Sequence, residues 1–262
     1  MTVDALDWTK FTDRNEIPDW IANAYSDSYQ GPHEDTYTAS AAESIPTPLV
    51  TPALLKSHYR LGSHRPAGES RVAVYPADDV SGFGPALQVV TDDGAMLMDS
   101  VTVLLHRLGV AYAGIMNPVF HVRRNDSGDL RAVGPKETGD DGIDETWIHV
   151  QLSPSVQHSA LHEAERLLPG VLADLRRVAA DATAMIAVLD GLADDVESNA
   201  NGHYPGDDNA DVATLLRWLG AGHFTLLGYQ RCPVRDGRVS GDAATTSLGV
   251  LRGRETSRPR LT

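Results

Sequence analysis

The sequence predicts an α+β protein. Its main domain is ferredoxin-like, of the βαββαβ type, with an extended second helix, and a second α+β unit starts after it. Strand and helix patterns alternate from Arg71 to Asn199 in the order β, β, α, β, β, β, α. The last helix pattern is long, and a hydrophilic stretch separates it from further helix and strand patterns. Such alternation within one unit favours helices that cover one face of a sheet.

Residues 1–68 are predicted to be an irregular, partly helical lead-in. Apolar side chains recur at helical spacing after Pro18, within 17–29. Residues 31–52 are rich in Ser, Thr, Pro and Ala and poor in large apolar side chains, which is typical of a mobile linker. A second helical turn starts at Pro52 and stops at Gly62.

Residues 69–199 are predicted to form the ferredoxin-like domain. Its strands are expected at 71–75, 86–90, 110–124, 129–134 and 146–152, each marked by alternating or continuous apolar residues between turn signals. A helix with apolar residues at three- and four-residue steps follows the second strand and ends at Gly109. The long second helix covers 158–197, and Pro169 should bend it early.

Residues 200–262 are predicted to hold a linker and an incomplete second α+β domain. The apolar segment 223–232 has two interpretations. It could supply a closing strand to the ferredoxin-like sheet, or it could open the new domain, which is the favoured alternative.

Composition and charge exclude several classes of protein. The chain has 36 acidic and 22 basic side chains, a net charge of −14 and a pI near 5.0. This charge disfavours binding to nucleic acid and to anionic membranes. The single cysteine, Cys232, excludes an internal disulfide and a multi-cysteine metal site. There is no long apolar run and no signal-peptide pattern, so a soluble, cytoplasmic protein is expected.

Motifs for catalysis or cofactor binding are weak. GFGPAL (82–87) lacks a third glycine and precedes a strand, so it does not fit the dinucleotide fingerprint, and no phosphate-binding loop sequence is present. His158 and His162 stand four residues apart without a third ligand, so they are expected to be solvated. His121 and His149 fall on the polar phase of their strands. They could pair with Trp147 nearby on an uncovered sheet face, as an interface or a ligand platform, or simply lie half-exposed.

The turn at 91–96 is the strongest candidate for a ligand site. A strand pattern ends there and a helix pattern begins, so free helix N–H groups should point into a turn of small residues. The acidic side chains there would repel a carboxylate and attract an α-amino group, which makes an amino acid an admissible ligand. A capped turn without a ligand is the alternative. The candidate effector-binding residues are Asp92, Asp93, Gly94, Ala95 and Met96.

Several separated strings, in the same order, resemble the N-terminal region of the large-subunit NAD-specific glutamate dehydrogenases of bacteria. The resemblance covers roughly 51–254, and WIANAYSDSY in the lead-in also fits. The strings are LQVVTDDGAMLMDSVTVLLHRLG, MNPVFHVRR, ETWIHVQL, LLRWLGAGHFTLLGYQ and SLGVLR.

The resemblance implies an ACT-like fold for the ferredoxin-like domain, a fold that in this family often senses amino acids and mediates oligomer contacts. The usual Asp-x-Pro-Gly turn corresponds here to 92–95, without the proline and with the glycine shifted. The chain is expected to be a fragment that lacks the catalytic domain. No catalytic, metal-binding or NAD-binding residue can therefore be assigned to it.

The resemblance favours a non-catalytic regulatory and oligomerisation segment. Its parent enzyme would oxidise L-glutamate to 2-oxoglutarate and ammonia with NAD, which would bind in the absent catalytic domain. The expected partners are the rest of its own subunit, neighbouring subunits of a homo-oligomer and a small amino-acid effector. A purely structural docking arm without an effector site is the alternative, and an independent small enzyme is the least favoured hypothesis.

Overall fold

The computed structural model describes residues 3–4, 7–31, 50–136, 141–198, 209–232, 234–235, 238–239 and 246–252. The chain divides into two compact units, Met1–Ala173 and Asp174–Thr262. The helices are α1 (Asp19–Asp27), α2 (Pro52–Gly62), α3 (Leu97–Arg107), α4 (His158–Ser198) and α5 (Asn209–Trp218). The strands are β1 (Val3–Asp4), β2 (Arg71–Tyr75), β3 (Ala86–Asp92), β4 (Tyr112–Met116), β5 (Val119–Arg124), β6 (Leu130–Pro135), β7 (Ile143–Leu152), β8 (Gly228–Arg231), β9 (Val234–Arg235), β10 (Arg238–Val239) and β11 (Thr246–Gly249).

A seven-stranded antiparallel sheet forms the centre of the first unit. Its order is β1-β6-β5-β7-β3-β2, and β4 also pairs with β7. β3 pairs with one side of β7, whereas β5 and β4 share the other side, one after the other. The predicted single strand over 110–124 is therefore two strands, because the chain is interrupted at Asn117 and Pro118. The prediction of an α+β protein is confirmed.

The lead-in covers one face of this sheet. Trp8, Ile21 and Tyr25 are fully buried in the same core cluster as Phe120 and Trp147 of the sheet. The ring of Trp147 lies 5.1 Å from that of Trp8 and 5.7 Å from that of Phe120, centroid to centroid. The expectation of an uncovered face was wrong, because aromatic side chains far away in the sequence supply the apolar layer that closes it.

The opposite face of the sheet is also buried. It presents Leu87 and Val89 of β3 and Ile148 and Val150 of β7, all without exposed surface. The remaining helices of the first unit are α3 and the first part of α4, and their buried apolar side chains provide the cover for this face. Those side chains are Leu97, Val101 and Leu105 on α3 and Leu161, Ala164, Leu168 and Leu172 on α4. Helices thus cover both faces of the sheet.

The second unit contains the later part of α4, α5 and two small antiparallel sheets. β8 pairs with β11, and β9 pairs with β10. Asp181 of α4 is almost fully buried, where it accepts a hydrogen bond from the backbone N–H of Gly249 at 2.8 Å and one from Arg252. Segment 223–232 therefore contributes β8 to this unit, and α4 continues through Pro169.

Both predicted linkers lie largely outside the described residues. The undescribed part is 32–49 in the first linker and 199–208 in the second. The three-part division at 68 and 199 stays a prediction. Within the part of the chain that the structure describes, no helix has both the length and the apolar character needed to cross a bilayer.

Candidate functional site

The predicted effector turn lies between β3 and α3. β3 ends at Asp92, and α3 begins at Leu97 without a side-chain capping bond. Met96 takes the left-handed conformation, with φ at 62°, that closes the turn into the helix. Asp93, Gly94 and Ala95 are exposed. A Cβ atom added at Gly94 would meet no atom within 4 Å, so crowding does not require a glycine there.

The carboxylate of Asp93 is held by groups of the same unit. One oxygen accepts a hydrogen bond from the hydroxyl of Thr146 at 2.7 Å, and the other accepts one from Lys136 at 3.0 Å. Burial alone would raise the pKa of Asp93, but these two bonds outweigh it and hold the pKa below its ordinary value. Asp93 is therefore a stable carboxylate, and each of its oxygens already accepts one side-chain hydrogen bond.

Asp92 belongs to a cluster of charged side chains behind the turn. Its carboxylate accepts a hydrogen bond from the guanidinium of Arg65 at 2.6 Å. Arg65 also donates to Glu145 at 2.9 and 2.7 Å, and Arg124 donates to Glu145 at 2.6 and 2.9 Å. We call Arg65, Asp92, Arg124 and Glu145 the arginine cluster. Its two cations and two anions balance.

Three of the four side chains of the arginine cluster are buried, and that of Asp92 is 35% exposed. The side chains of Arg65 and Glu145 have no exposed surface, and that of Arg124 is 7% exposed. The indole of Trp147 donates to Glu145 at 3.1 Å. Burial would raise the pKa of Glu145, but Arg124 and Arg65 outweigh it and hold the pKa below its ordinary value. Since Glu145 stays ionised, it is suited to holding the arginines and not to transferring protons.

The cluster joins three parts of the first unit. Arg124 donates to the carbonyl oxygen of Gly62 at the end of α2, and Arg65 donates to that of Glu69 in the following loop. Glu145 lies on β7 and Asp92 at the end of β3. The arrangement fixes the end of α2 to the sheet, at the place where the turn at 91–96 starts.

A pocket of about 390 Å³ lies beside the arginine cluster. Arg65 and Arg124 line it, together with Asn125, Asp126 and Asp141 among others. The arginines are already paired, and the two aspartates add negative charge. The pocket therefore does not present a cationic surface.

The arginine cluster was not predicted from the sequence, although one signal for it was present. Glu145 stands two residues before Trp147 on a strand, so both side chains point to the same face. A carboxylate beside a buried tryptophan needs a cation, which Arg65 supplies from 80 positions away in the chain. That partner cannot be read from a local pattern.

The predicted pair of His121 and His149 is wrong. His121 lies opposite Asp144 in the register of β5 and β7, and it contacts that carboxylate at 2.8 Å. His149 lies on the other face of β7, opposite Gln88, and is fully buried. Burial lowers the pKa of His149 to about 4. The two imidazoles therefore form no shared ligand platform.

His158 and His162, at the start of α4, were expected to be solvated. His162 lies within 3.7 Å of Glu165, one turn along the helix, and is mostly exposed. Among the described residues, no group of three His, Cys, Asp or Glu side chains is arranged to hold a metal ion.

Comparison with known proteins identifies the family. The family model described as "Glutamate dehydrogenase, ACT1 domain" matches residues 37–168, half of the chain and including the turn and the arginine cluster. The NAD-specific glutamate dehydrogenase of Mycobacterium tuberculosis is 60% identical over 97% of the chain. Proteins with the same description from Halomonas elongata and Pseudomonas aeruginosa are 31% and 30% identical over 63% and 64% of the chain. The chain spans only 16%, 10% and 10% of these three relatives. The chain therefore belongs to the glutamate dehydrogenase ACT1-domain family.

Proposed function

We propose that this chain is a non-catalytic assembly and regulatory segment of a large NAD-dependent glutamate dehydrogenase. The parent enzyme would be cytoplasmic and would oxidise L-glutamate to 2-oxoglutarate and ammonia. The observation that carries the proposal is the similarity to the Mycobacterium tuberculosis protein, which extends over 97% of this chain but only 16% of that relative.

Neither of the two glycine-containing turns that border β3 fits NAD. A dinucleotide's pyrophosphate needs a glycine turn that leads from a strand into a helix. GFGP leads from β2 into β3, so no helix N-terminus follows it. The turn from β3 to α3 does precede a helix, but Asp92 and Asp93 would repel a pyrophosphate. NAD would therefore bind outside this segment.

The first unit supports an ACT-like origin for the segment. If β4 and β5 are counted as one strand and β6 is set aside, the order β3, α3, β4 with β5, β7 and α4 is β, α, β, β, α, and β7 lies between β3 and β4. In a ferredoxin-like unit a closing strand after the second helix would lie beside the first strand. Here β2, which precedes β3 in the chain, pairs with β3 at this edge of the sheet. We interpret the sheet as a ferredoxin-like variant in which the lead-in side of the chain supplies the edge strand.

The contacts of the arginine cluster favour assembly as the main role. Its charges are used to fix α2 to the sheet, so they are not available to bind a charged effector. The partners would be the rest of the same subunit and neighbouring subunits, and neither nucleic acid nor membrane is expected for a chain with a net charge of −14.

An amino-acid effector at the turn is a second candidate function. It is supported by the exposure of Asp93, Gly94 and Ala95 and by the missing side-chain cap at the start of α3. The effector's amino group would have to compete with Lys136 for Asp93.

Glutamate-dependent NAD reduction tests the non-catalytic role. The chain alone should give no NADH, whereas the full-length Mycobacterium tuberculosis relative should. Deleting the aligned region from that relative should leave some turnover while changing its assembly or its response to amino acids. Turnover by the chain alone would overturn the proposal, and so would a deletion that changes neither assembly nor regulation.

A further inference from the structure

α5 packs on α4 through its small and charged side chains. Ala213 is fully buried. The guanidinium of Arg217 donates to Asp194 and to Glu197 of α4, at 2.7 Å in each case. The inner side of α5 thus carries the buried methyl group of Ala213 and the ion pairs of Arg217.

The outer side of α5 carries the large apolar residues. Val212, Leu215 and Trp218 are 44%, 54% and 50% exposed. They are spaced three residues apart, so they lie along one stripe of the helix. A surface helix normally buries such a stripe and turns its polar side to water. α5 has the reverse arrangement.

Two further large apolar residues are exposed shortly after the helix. Phe224 and Leu227 are 61% and 51% exposed, shortly beyond the π-helical turn Leu219–His223. The ring of Trp218 stacks on that of His223, with centroids 4.8 Å apart and planes 7° apart. This stacking holds the indole in place on the surface. We call Val212, Leu215, Trp218, Phe224 and Leu227 the apolar stripe.

We propose that the apolar stripe is a docking surface for the part of the same polypeptide that this chain does not span. The proposal rests on the proposed function, because it takes the parent to be a large glutamate dehydrogenase. Contiguous exposed apolar residues mark interaction sites. Since the chain spans only 16% of its 60%-identical relative, most of such a polypeptide is available to cover the stripe. A partner on the same chain is present at high effective concentration, so a modest apolar stripe is sufficient to hold it.

The surroundings of the apolar stripe argue against a lipid surface. Asp211 precedes Val212 on α5, and the whole chain carries a net charge of −14. Anionic lipid would be repelled by this charge. A protein surface is the occupant that matches an apolar stripe with acidic neighbours.

Hydrogen exchange followed by mass spectrometry tests the docking. Exchange is measured in the isolated chain and in a joined protein, in which the chain replaces the aligned region of the Mycobacterium tuberculosis relative. We expect the amides of α5 to exchange at least tenfold more slowly in the joined protein. Leu215→Ser combined with Trp218→Ser should restore the faster exchange. Val103→Ser is the matched control, since Val103 is 57% exposed on α3, outside the apolar stripe.

Equal exchange of α5 in the two proteins would overturn the proposal. So would protection of α5 that rises with concentration in the chain alone, because the occupant would then be a second copy. A second measurement adds the labelled chain to the relative that lacks its aligned region; binding that the double variant does not weaken would overturn the proposal as well. If the deletion changes assembly but the stripe variants do not, the inference fails while the proposed function stands.

Discussion

Replacing Glu145 by glutamine removes the anion between two buried arginines while keeping the size of the side chain. Glu145 accepts two hydrogen bonds from Arg65, two from Arg124 and one from the indole of Trp147. In Glu145→Gln, an NH2 group replaces one carboxylate oxygen. This group donates hydrogen bonds, so it cannot accept those of the arginine or indole N–H groups that face it. The charges of the arginines then have only Asp92 as an anionic partner in the cluster.

The expected destabilisation is large because the cluster is buried. Removing one partner of a buried ion pair costs about 3–5 kcal/mol. That is a large share of the roughly 5–15 kcal/mol by which folded proteins are stable. For a unit of this size, it corresponds to a fall in the thermal midpoint of about 6–20 °C.

Urea and thermal unfolding, followed by tryptophan fluorescence, measure this loss. Trp147 contacts Glu145 directly, so its emission reports on the cluster. Glu163→Gln is the matched control, because Glu163 pairs with Arg166 on the surface of α4 and should leave the midpoint almost unchanged. A Glu145→Gln midpoint as high as that of the control would refute the structural role of the cluster.

The pH dependence of the same difference has a defined sign. The pKa of Glu145 is held below 4.5 in the folded state, so the carboxylate stabilises fully above its ordinary pKa. This stabilisation is lost as the pH falls below about 4.5 through the folded pKa. The gap between wild type and Glu145→Gln should therefore stay constant at neutral pH and narrow only in that acidic range.

Three further predictions concern other parts of the first unit. Burial lowers the folded pKa of His58 to about 3 and that of His149 to about 4, below the ordinary 6.5. The free energy of unfolding should therefore fall as the pH drops from 6.5 towards 4, by up to about 1.4 kcal/mol per pH unit for each histidine. An unchanged slope of unfolding free energy against pH in His149→Leu would contradict the assignment for that residue. Gly62→Ala would place a Cβ atom 2.7 Å from the ring of Trp147 and should cost about 1–3 kcal/mol, whereas Gly94→Ala meets open space and should be neutral in the same urea titration. In a thermal-shift screen, an amino acid that binds at the turn should stabilise the chain by about 2.7 kcal/mol at a hundredfold excess over its Kd, and Asp93→Asn should abolish the shift; an equal shift in that variant would place the ligand elsewhere.

Local patterns predicted the elements of the first unit well where periodicity alone decides. The strand at 71–75 and the helix after the turn follow directly from the spacing of their apolar residues. The alternation of Trp147, His149 and Gln151 with apolar neighbours suggested a face turned to water. It was misleading because Gln88 and His149 are polar side chains without exposed surface, and Gln88 donates to the carbonyl oxygen of Leu54 in the lead-in.

Long-range partners account for what the sequence could not predict. The hydroxyl of Tyr25 contacts His58 at 2.8 Å, and the other ring nitrogen of His58 contacts the carbonyl oxygen of Val89 at 3.2 Å, so α1, α2 and β3 are tied by one imidazole. Neither contact can be predicted from the local spacing of residues in the sequence. Arg65 and Glu145 likewise find each other only when α2 packs on the sheet.

The mass of the assembled enzyme, measured with and without this region, tests the central claim most directly. The full-length Mycobacterium tuberculosis relative is compared by sedimentation with a version that lacks the region aligned to this chain. An assembly segment predicts a smaller oligomer after the deletion, with the catalytic part still folded and able to bind NAD. An unchanged oligomer would contradict the account.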